Sequence, residues 1–340
     1  MAPVSIGLAG FGRIGRSLFR LLYDRIDLCL AAVSDATDPE TLSYLLRFDT
    51  LAGRFPHPLT IRDGKLEVRG RTIRHFVASV PGEVPWGDLG VEVVIETSTK
   101  ARSRAEFERH LAQGAKRVIL CVPPADPPDL TVVNGINDHL LTPEHRIISS
   151  ASTTAHCAAP LVKILGDAFG IERLYLSTVH AYTDQQRLAD VPEKDLRRGR
   201  AAAENIIPQE SNAGHLLEEL FPNLAGRVVA SSMNVPIANG SLIDLVCWHR
   251  CEVSRDAVNE AVRAAAGTPA LATILAYETE PIVSSDVINS PYSAVFDSDA
   301  TMVLGRHMSK TLAWFDNSWG HAHRVIELIT RSRELTREAA

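Results

Sequence analysis

Residues 4–35 alternate strand, glycine turn, helix and strand, and this unit constrains the fold more than any other stretch. Val4 to Ala9 is an apolar run suited to a buried parallel strand. Gly10 to Gly15 breaks it, and Leu18, Leu21 and Leu22 follow at helical spacing. A second apolar run, Leu28 to Val33, ends at Ser34 and Asp35, completing a βαβ unit. The turn reads Gly10-Phe11-Gly12-Arg13-Ile14-Gly15, which fits G-x-G-x-x-G. Gly10 permits the tight turn, Gly12 lets the backbone approach a pyrophosphate, and Gly15 lets helix pack on strand. Arg13 and Ile14 open the helix, whose N–H groups and partial positive charge suit phosphate oxygens. Asp35 lies twenty residues after Gly15, where a carboxylate accepts bonds from ribose hydroxyls and repels a 2′-phosphate. The unit therefore points to NAD rather than NADP.

Further runs continue an α/β pattern. Val91 to Ile95, Arg117 to Val122 and Arg146 to Ser149 read as strands, and Ser103 with Glu106 forms an S-x-x-E helix start. The second half differs. Leu174 to Tyr182 and Ser241 to Cys247 are longer, partly alternating strands that suit an antiparallel sheet with one face covered. Residues 184–205 are polar and arginine-bearing, long enough to be an ordered functional loop. Trp319 to Ser332 has helical spacing. The expected fold class is α/β: a Rossmann NAD-binding domain (1–150), then an α+β catalytic domain with a mostly antiparallel sheet (151–317). A C-terminal helix (318–340) follows.

Composition narrows the function classes. With 35 basic and 41 acidic residues the net charge is −6, which supports neither a nucleic-acid nor a membrane partner. The five cysteines have no paired spacing, which suits reduced thiols in the cytoplasm. The N-terminal residues lack a basic flank and cleavage site, so no signal peptide is expected. No metal-ligand cluster stands out, and none is expected.

Motifs along the chain resemble those of the glyceraldehyde-3-phosphate dehydrogenase family. They begin with GFGRIGR at Gly10, RFDTLAGRF at Arg47, GVEVVIET at Gly90 and VVNGIN at Val132. They continue with TVHAYTD at Thr178, DLRRGRAAAENIIP at Asp195, VSSD at Val283, VFDSDATMVL at Val295 and AWFDNSWG at Ala313. The resemblance implies a cytoplasmic homotetramer acting on a small molecule with NAD, its C-terminal helix packed back on the NAD domain. It implies that Asn317 holds the nicotinamide carboxamide, that Cys121 lies with the cofactor contacts, and that His180 is the catalytic base.

The chain departs from the family where the chemistry is done. The family's nucleophile motif reads S-x-A-S-C-T-T-N-C; here it is Ser149-Ser150-Ala151-Ser152-Thr153-Thr154-Ala155-His156-Cys157. Thr153 stands where the catalytic cysteine should be, and a hydroxyl cannot form a thioester. Cys157 is either a buried helix cysteine or a nucleophile displaced by one turn. His156 replaces the motif's asparagine, as a titrating group or a structural one. In the substrate-phosphate site Thr183 remains, while Asn234 replaces an arginine and Gln185 an aspartate. In the second anion site Ser152 and the arginine-rich segment Arg197 to Arg200 remain, a threonine-glycine pair becomes Ser211-Asn212, and Thr154 is a further candidate substrate contact. His321 replaces a tyrosine. Three readings stay open: direct hydride transfer without a thioester on a small, non-phosphorylated aldehyde or alcohol; a silent NAD-binding protein with a regulatory or assembly role, joined to an active homologue in a hetero-oligomer; and weak residual activity on the family substrate.

Overall fold

The computed structural model describes residues 3–78, 80–183 and 186–338. The chain divides into two compact units. One runs to Ser152 and takes in the C-terminal segment from Ala322; the other is Thr153–His321.

The first unit is built on a nine-stranded sheet. In chain order its strands are β1 (Val4–Ala9), β2 (Leu28–Asp35), β5 (Leu59–Arg62), β6 (Lys65–Val68), β7 (Arg71–Val77), β8 (Val93–Glu96), β9 (Arg117–Leu120), β10 (Leu130–Thr131) and β11 (Ile147–Ser149). A separate ribbon joins β3 (Phe48–Asp49) to β4 (Gly53–Arg54). The spatial order is β10-β11-β9-β8-β1-β2-β7-β6-β5, parallel from β10 through β7 and antiparallel beyond. Helices α1 (Arg13–Tyr23), α2 (Pro39–Arg47) and α3 (Arg104–Ala112) connect the strands. Parallel neighbours require such crossovers, because a hairpin cannot return the chain in the same direction. The strand around Val93 starts two residues later than the apolar run, since Val91 N–H donates to Trp86 O in the preceding turn. The α3 start is a capping box: Glu106 accepts from Ser103 N while Ser103 Oγ accepts from Glu106 N.

Ile6, Leu8, Leu18, Leu22 and Leu28 form the centre of this unit's core, together with Val325, Leu328 and Ile329. The last three belong to α7 (Trp319–Glu338), which continues beyond the apolar spacing of Trp319 to Ser332. Arg117 fixes the helix by hydrogen-bonding Ser332, and Asn134 Nδ2 donates to Arg324 O at 3.1 Å.

The second unit holds a seven-stranded sheet. Its strands are β12 (Ile171–Ala181), β13 (Ile207–Gln209), β14 (Val228–Val235), β15 (Ser241–His249), β16 (Leu275–Glu278), β17 (Ala294–Leu304) and β18 (Met308–Phe315). They lie in the order β13-β14-β12-β15-β18-β17-β16. Burial alternates along β15, with Ser241, Ile243, Leu245, Cys247 and His249 inward. The inner face packs on α4 (Thr153–Phe169), whose residues are buried from Thr154 through Val162. Helices α5 (Ala213–Leu220) and α6 (Arg255–Ala266) complete the layer. β12 is antiparallel to β15, as its alternation suggests, yet parallel to β14. The long connection between β12 and β14 contains α5, so β14 re-enters in the same direction. No helix among the described residues is long and apolar enough to cross a membrane.

Candidate active site

The cofactor cradle lies at the carboxyl ends of β1, β2 and β8, where ligands bind in sheets of this kind. Gly10 has φ +91°, and a Cβ there would lie 2.6 Å from Ser98 N. A Cβ on Gly15 would lie 2.4 Å from Gly10 O. Gly12 differs, with an ordinary φ of −69° and nothing within 4 Å of its added Cβ. It is the N-cap of α1 and supplies no side chain, so the helix start carries no side-chain cap bond. Asp35 stands beside this opening. Its Oδ2 accepts from Phe11 N at 2.8 Å and its Oδ1 from Thr37 N at 3.0 Å, which orients the carboxylate. A carboxylate next to a helix N-terminus without a side-chain cap fits a dinucleotide.

A buried chain supports the cradle from below. Trp86 Nε1–H donates to His110 Nδ1 at 2.9 Å, so the imidazole hydrogen sits on Nε2 and points to Glu96 Oε2 at 3.0 Å. Glu96 Oε1 in turn accepts from Ser98 N at 2.6 Å, the atom that abuts Gly10. Thr97 Oγ1 donates within reach of both Ala9 O and Gly10 O. Neither Trp86, His110 nor Glu96 was singled out in the sequence; no local motif marks residues that meet only in the fold. Cys121 follows β9 with its N–H bonded to Glu96 O at 2.9 Å. Burial, and secondarily the Glu96 charge, pushes its thiol pKa up.

The candidate catalytic residues of the second unit fall into two groups. The first is the start of α4. Ala151, just before it, holds φ +48°, a left-handed conformation that turns the chain sharply from β11 into the helix. Thr153 is the first helical residue and half-buried, with Ser152 before it and Thr154 behind it. Cys157 is fully buried, its Sγ 3.8 Å from Ala313 O, and burial raises its thiol well above the ordinary value. The displaced-nucleophile alternative for Cys157 is thereby corrected: its sulfur is core, and a thiolate there would be desolvated. His156 is equally buried and meets His321 edge to face, ring centroids 5.6 Å apart. Two of the chain's departures from the family motif thus touch each other.

The second group surrounds His180, near the end of β12. His180 Nδ1 lies 2.8 Å from Ala181 O. A carbonyl can only accept, so Nδ1 carries the hydrogen and Nε2 is the proton-accepting nitrogen. Ser241 Oγ accepts from Ala181 N and donates to Asn317 Oδ1 at 2.6 Å, which fixes the amide; Asn317 Nδ2 lies 3.5 Å from His180 Nδ1, a contact of two N–H donors and not a hydrogen bond when Nδ1 carries its hydrogen. Asn239 holds the same segment, accepting from Asn317 N and donating to Asp316, whose other oxygen accepts from Ser318 N at the start of α7. Ser241, Asn239 and Asp316 are positioning residues the sequence did not reveal.

Asn234 lies opposite His180 in the parallel β12–β14 pair, so their side chains emerge on one face. Its partner is Gln186. Gln186 Oε1 accepts from Asn234 Nδ2 at 2.6 Å and from Thr183 N at 3.0 Å. Gln185, the residue indicated by motif position, lies outside the described residues, as does Asp184. Gln186 Nε2 is buried without a hydrogen-bond partner among the described residues. Ser211 Oγ accepts from Ala213 N at 3.3 Å, and Asn212 is the N-cap of α5 without a side-chain cap bond. Ile207 pairs with Asn234, which brings the strand leading to Ser211 alongside.

Comparison with known proteins agrees with this division. Residues 4–104 match the family profile "Glyceraldehyde 3-phosphate dehydrogenase, NAD binding domain", and residues 152–317 match its C-terminal domain. Glyceraldehyde-3-phosphate dehydrogenase 2 of Streptomyces avermitilis is 42% identical over 327 residues, spanning 96% of this chain and 97% of that protein. The enzyme of Geobacillus stearothermophilus is 41% identical over 326 residues, with 96% and 97% covered. That of Borreliella burgdorferi is 40% identical over 331 residues, with 96% and 98% covered.

Proposed function

The chain belongs to the glyceraldehyde-3-phosphate dehydrogenase family, and we propose that within it the thioester route has been exchanged for direct hydride transfer on a small, non-phosphorylated aldehyde or alcohol. The observation that carries this reading is the start of α4: a threonine where the family has its nucleophile, and the neighbouring thiol of Cys157 turned into the core.

Gly10, Gly12, Arg13, Ile14, Gly15, Asp35, Cys121 and Asn317 are assigned to NAD. When bound, the cofactor supplies the hydride acceptor. His180 handles the proton: with Nδ1–H fixed on Ala181 O, Nε2 takes the hydrogen of the substrate hydroxyl or carbonyl hydrate, and returns it in the reverse direction. Thr153 donates a hydrogen bond to the same oxygen, which needs no ionised hydroxyl. Asn234, Thr183 and the loop at Gln185 bind the remainder of the substrate, with Ser152, Thr154, Ser211 and Asn212 on its other side. The assembly proposed is a cytoplasmic homotetramer. In support, the outer face of the second sheet exposes Val229, Met302 and Leu304 beside half-buried Trp248 and Trp314, and the 186–205 loop exposes Leu188 and Leu196. Exposed apolar groups on this scale mark interfaces.

A screen of aldehydes and sugar alcohols, following nicotinamide absorbance, tests the reading. Turnover of an uncharged compound, abolished by His180→Asn, is the expected result. Vigorous phosphate-dependent oxidation of glyceraldehyde 3-phosphate would overturn it. NAD binding with no turnover of any compound would make the chain a silent cofactor-binding subunit instead. A single sedimenting species near the 37.1 kDa chain mass would remove the tetramer.

A further inference from the structure

We infer that Gln186, acting with Asn234, is the specificity-determining element of the substrate site and selects an uncharged hydroxyl in place of an anion. This rests on the reading that His180 serves a carbonyl or alcohol, because it concerns the far end of the same substrate.

Three observations support it. Asn234 is registered with His180 across adjacent parallel strands, so whatever touches Asn234 is a neighbour of the reacting group. Gln186 is locked in place from one end only: its Oε1 takes two hydrogen bonds, from Asn234 Nδ2 and Thr183 N. Its other end, Nε2, is removed from water and bonded to nothing among the described residues. A buried donor without an acceptor is costly, and native structures rarely keep one without a use.

The pair therefore offers an oriented N–H donor on Gln186 and the carbonyl oxygen of Asn234 as an acceptor. A hydroxyl group donates and accepts at once, and matches both. A phosphate monoester has acceptors only. It would meet the Asn234 oxygen as a repulsive dipole and would find no cation in the pair. Two of the loop arginines are held in ion pairs, Arg187 with Glu193 at 2.9 Å and Arg200 with Asp190 at 3.0 Å. The ligand class is a short polyol or hydroxy-aldehyde whose terminal hydroxyl reaches this amide pair while its carbonyl end reaches His180.

The test uses full-length protein loaded with NAD, titrated calorimetrically with erythritol and with glycerol 3-phosphate, alongside KM and kcat for glyceraldehyde and for its 3-phosphate. Wild type is expected to prefer the uncharged member of each pair. Gln186→Met keeps the length and removes the donor. It should raise the KM for glyceraldehyde roughly tenfold, the loss of one neutral hydrogen bond, with kcat changed by less than about twofold. NAD affinity, to which Asn317 of the same unit is assigned, reports whether the variant is folded. Asn234→Arg is the second variant and should turn the binding preference toward glycerol 3-phosphate. Preference of the wild type for the phosphorylated compound, or a Gln186→Met protein that binds NAD and polyol as wild type does, overturns the inference. Uncharged-ligand preference without any turnover would leave the specificity assignment standing and remove the catalytic reading. His180-dependent turnover insensitive to Gln186→Met would do the reverse.

Discussion

The turn into α1 and the turn into α4 are built to one plan. Each takes the chain from a parallel strand through a left-handed residue, Gly10 at φ +91° or Ala151 at φ +48°, onto a helix N-terminus. At the first, the features are those of the backbone: two glycines that the packing demands, a helix N-terminus without a side-chain cap, and Asp35 beside it. At the second, the backbone presents a side chain, that of Thr153. A recognition site made of N–H groups survives substitution around it; a reaction centre made of one side chain does not survive a change of that side chain. The left-handed conformation at Ala151 costs an alanine roughly 1 kcal/mol, and the fold still bears it.

The largest expected contrast is between the two reactions. Phosphorylating oxidation of glyceraldehyde 3-phosphate should be absent or very weak in the wild type. Thr153→Cys alone should restore little, because the amide pair still meets the phosphate. Thr153→Cys with Asn234→Arg and Gln185→Asp should restore more, read as phosphate-dependent reduction of NAD. If Thr153→Cys alone gave a fast enzyme, the second turn would prove as intact as the first.

His180→Asn should lower turnover of the true substrate by roughly 100- to 10,000-fold, the usual contribution of a positioned acid or base, while NAD affinity stays put. A parallel loss of NAD binding would mean that the two regions are not separable.

Asp35→Ala acts on the other region. Loss of a charged acceptor for the ribose hydroxyls should weaken NAD by about 1.5–3 kcal/mol, roughly 10- to 150-fold, and narrow the preference over NADP. Equal affinities of the wild type for NAD and NADP would sink the assignment.

Cys157→Ala should be the mildest change: on the order of 1 kcal/mol of stability from core packing, and unaltered turnover. Thiol labelling of the folded protein checks the same point. Burial raises the thiols of Cys121, Cys157 and Cys247, so at neutral pH little thiolate exists there, and only exposed Cys29 and Cys251 should react before unfolding.

Much of this was legible in the sequence because its signals are local. Strand, glycine turn, helix and Asp35 follow one another within a few turns of chain, and Ser103 with Glu106 announces α3 by itself. Thr153, His180 and Asn317 were found through motif order. What escaped depends on pairing across the fold. That Gln186 meets Asn234 is decided by a loop's path, which its composition does not give. The parallel β12–β14 pair, the His156–His321 contact and the Trp86–His110–Glu96 chain all join residues whose separation in sequence carries no periodic signal.

Gly12 bears on the history of this chain. Replacing Gly10 or Gly15 would disturb packing, so folding alone would preserve them even in a protein that had abandoned its cofactor. Gly12 has an ordinary backbone conformation and empty space where a Cβ would go. The fold would tolerate alanine or serine there without complaint. Only something absent from the polypeptide, a pyrophosphate pressed against that backbone, is offended by a side chain. Drift following the loss of NAD binding would therefore reach position 12 before its two neighbours, and the glycine there is what a bound pyrophosphate asks of this chain.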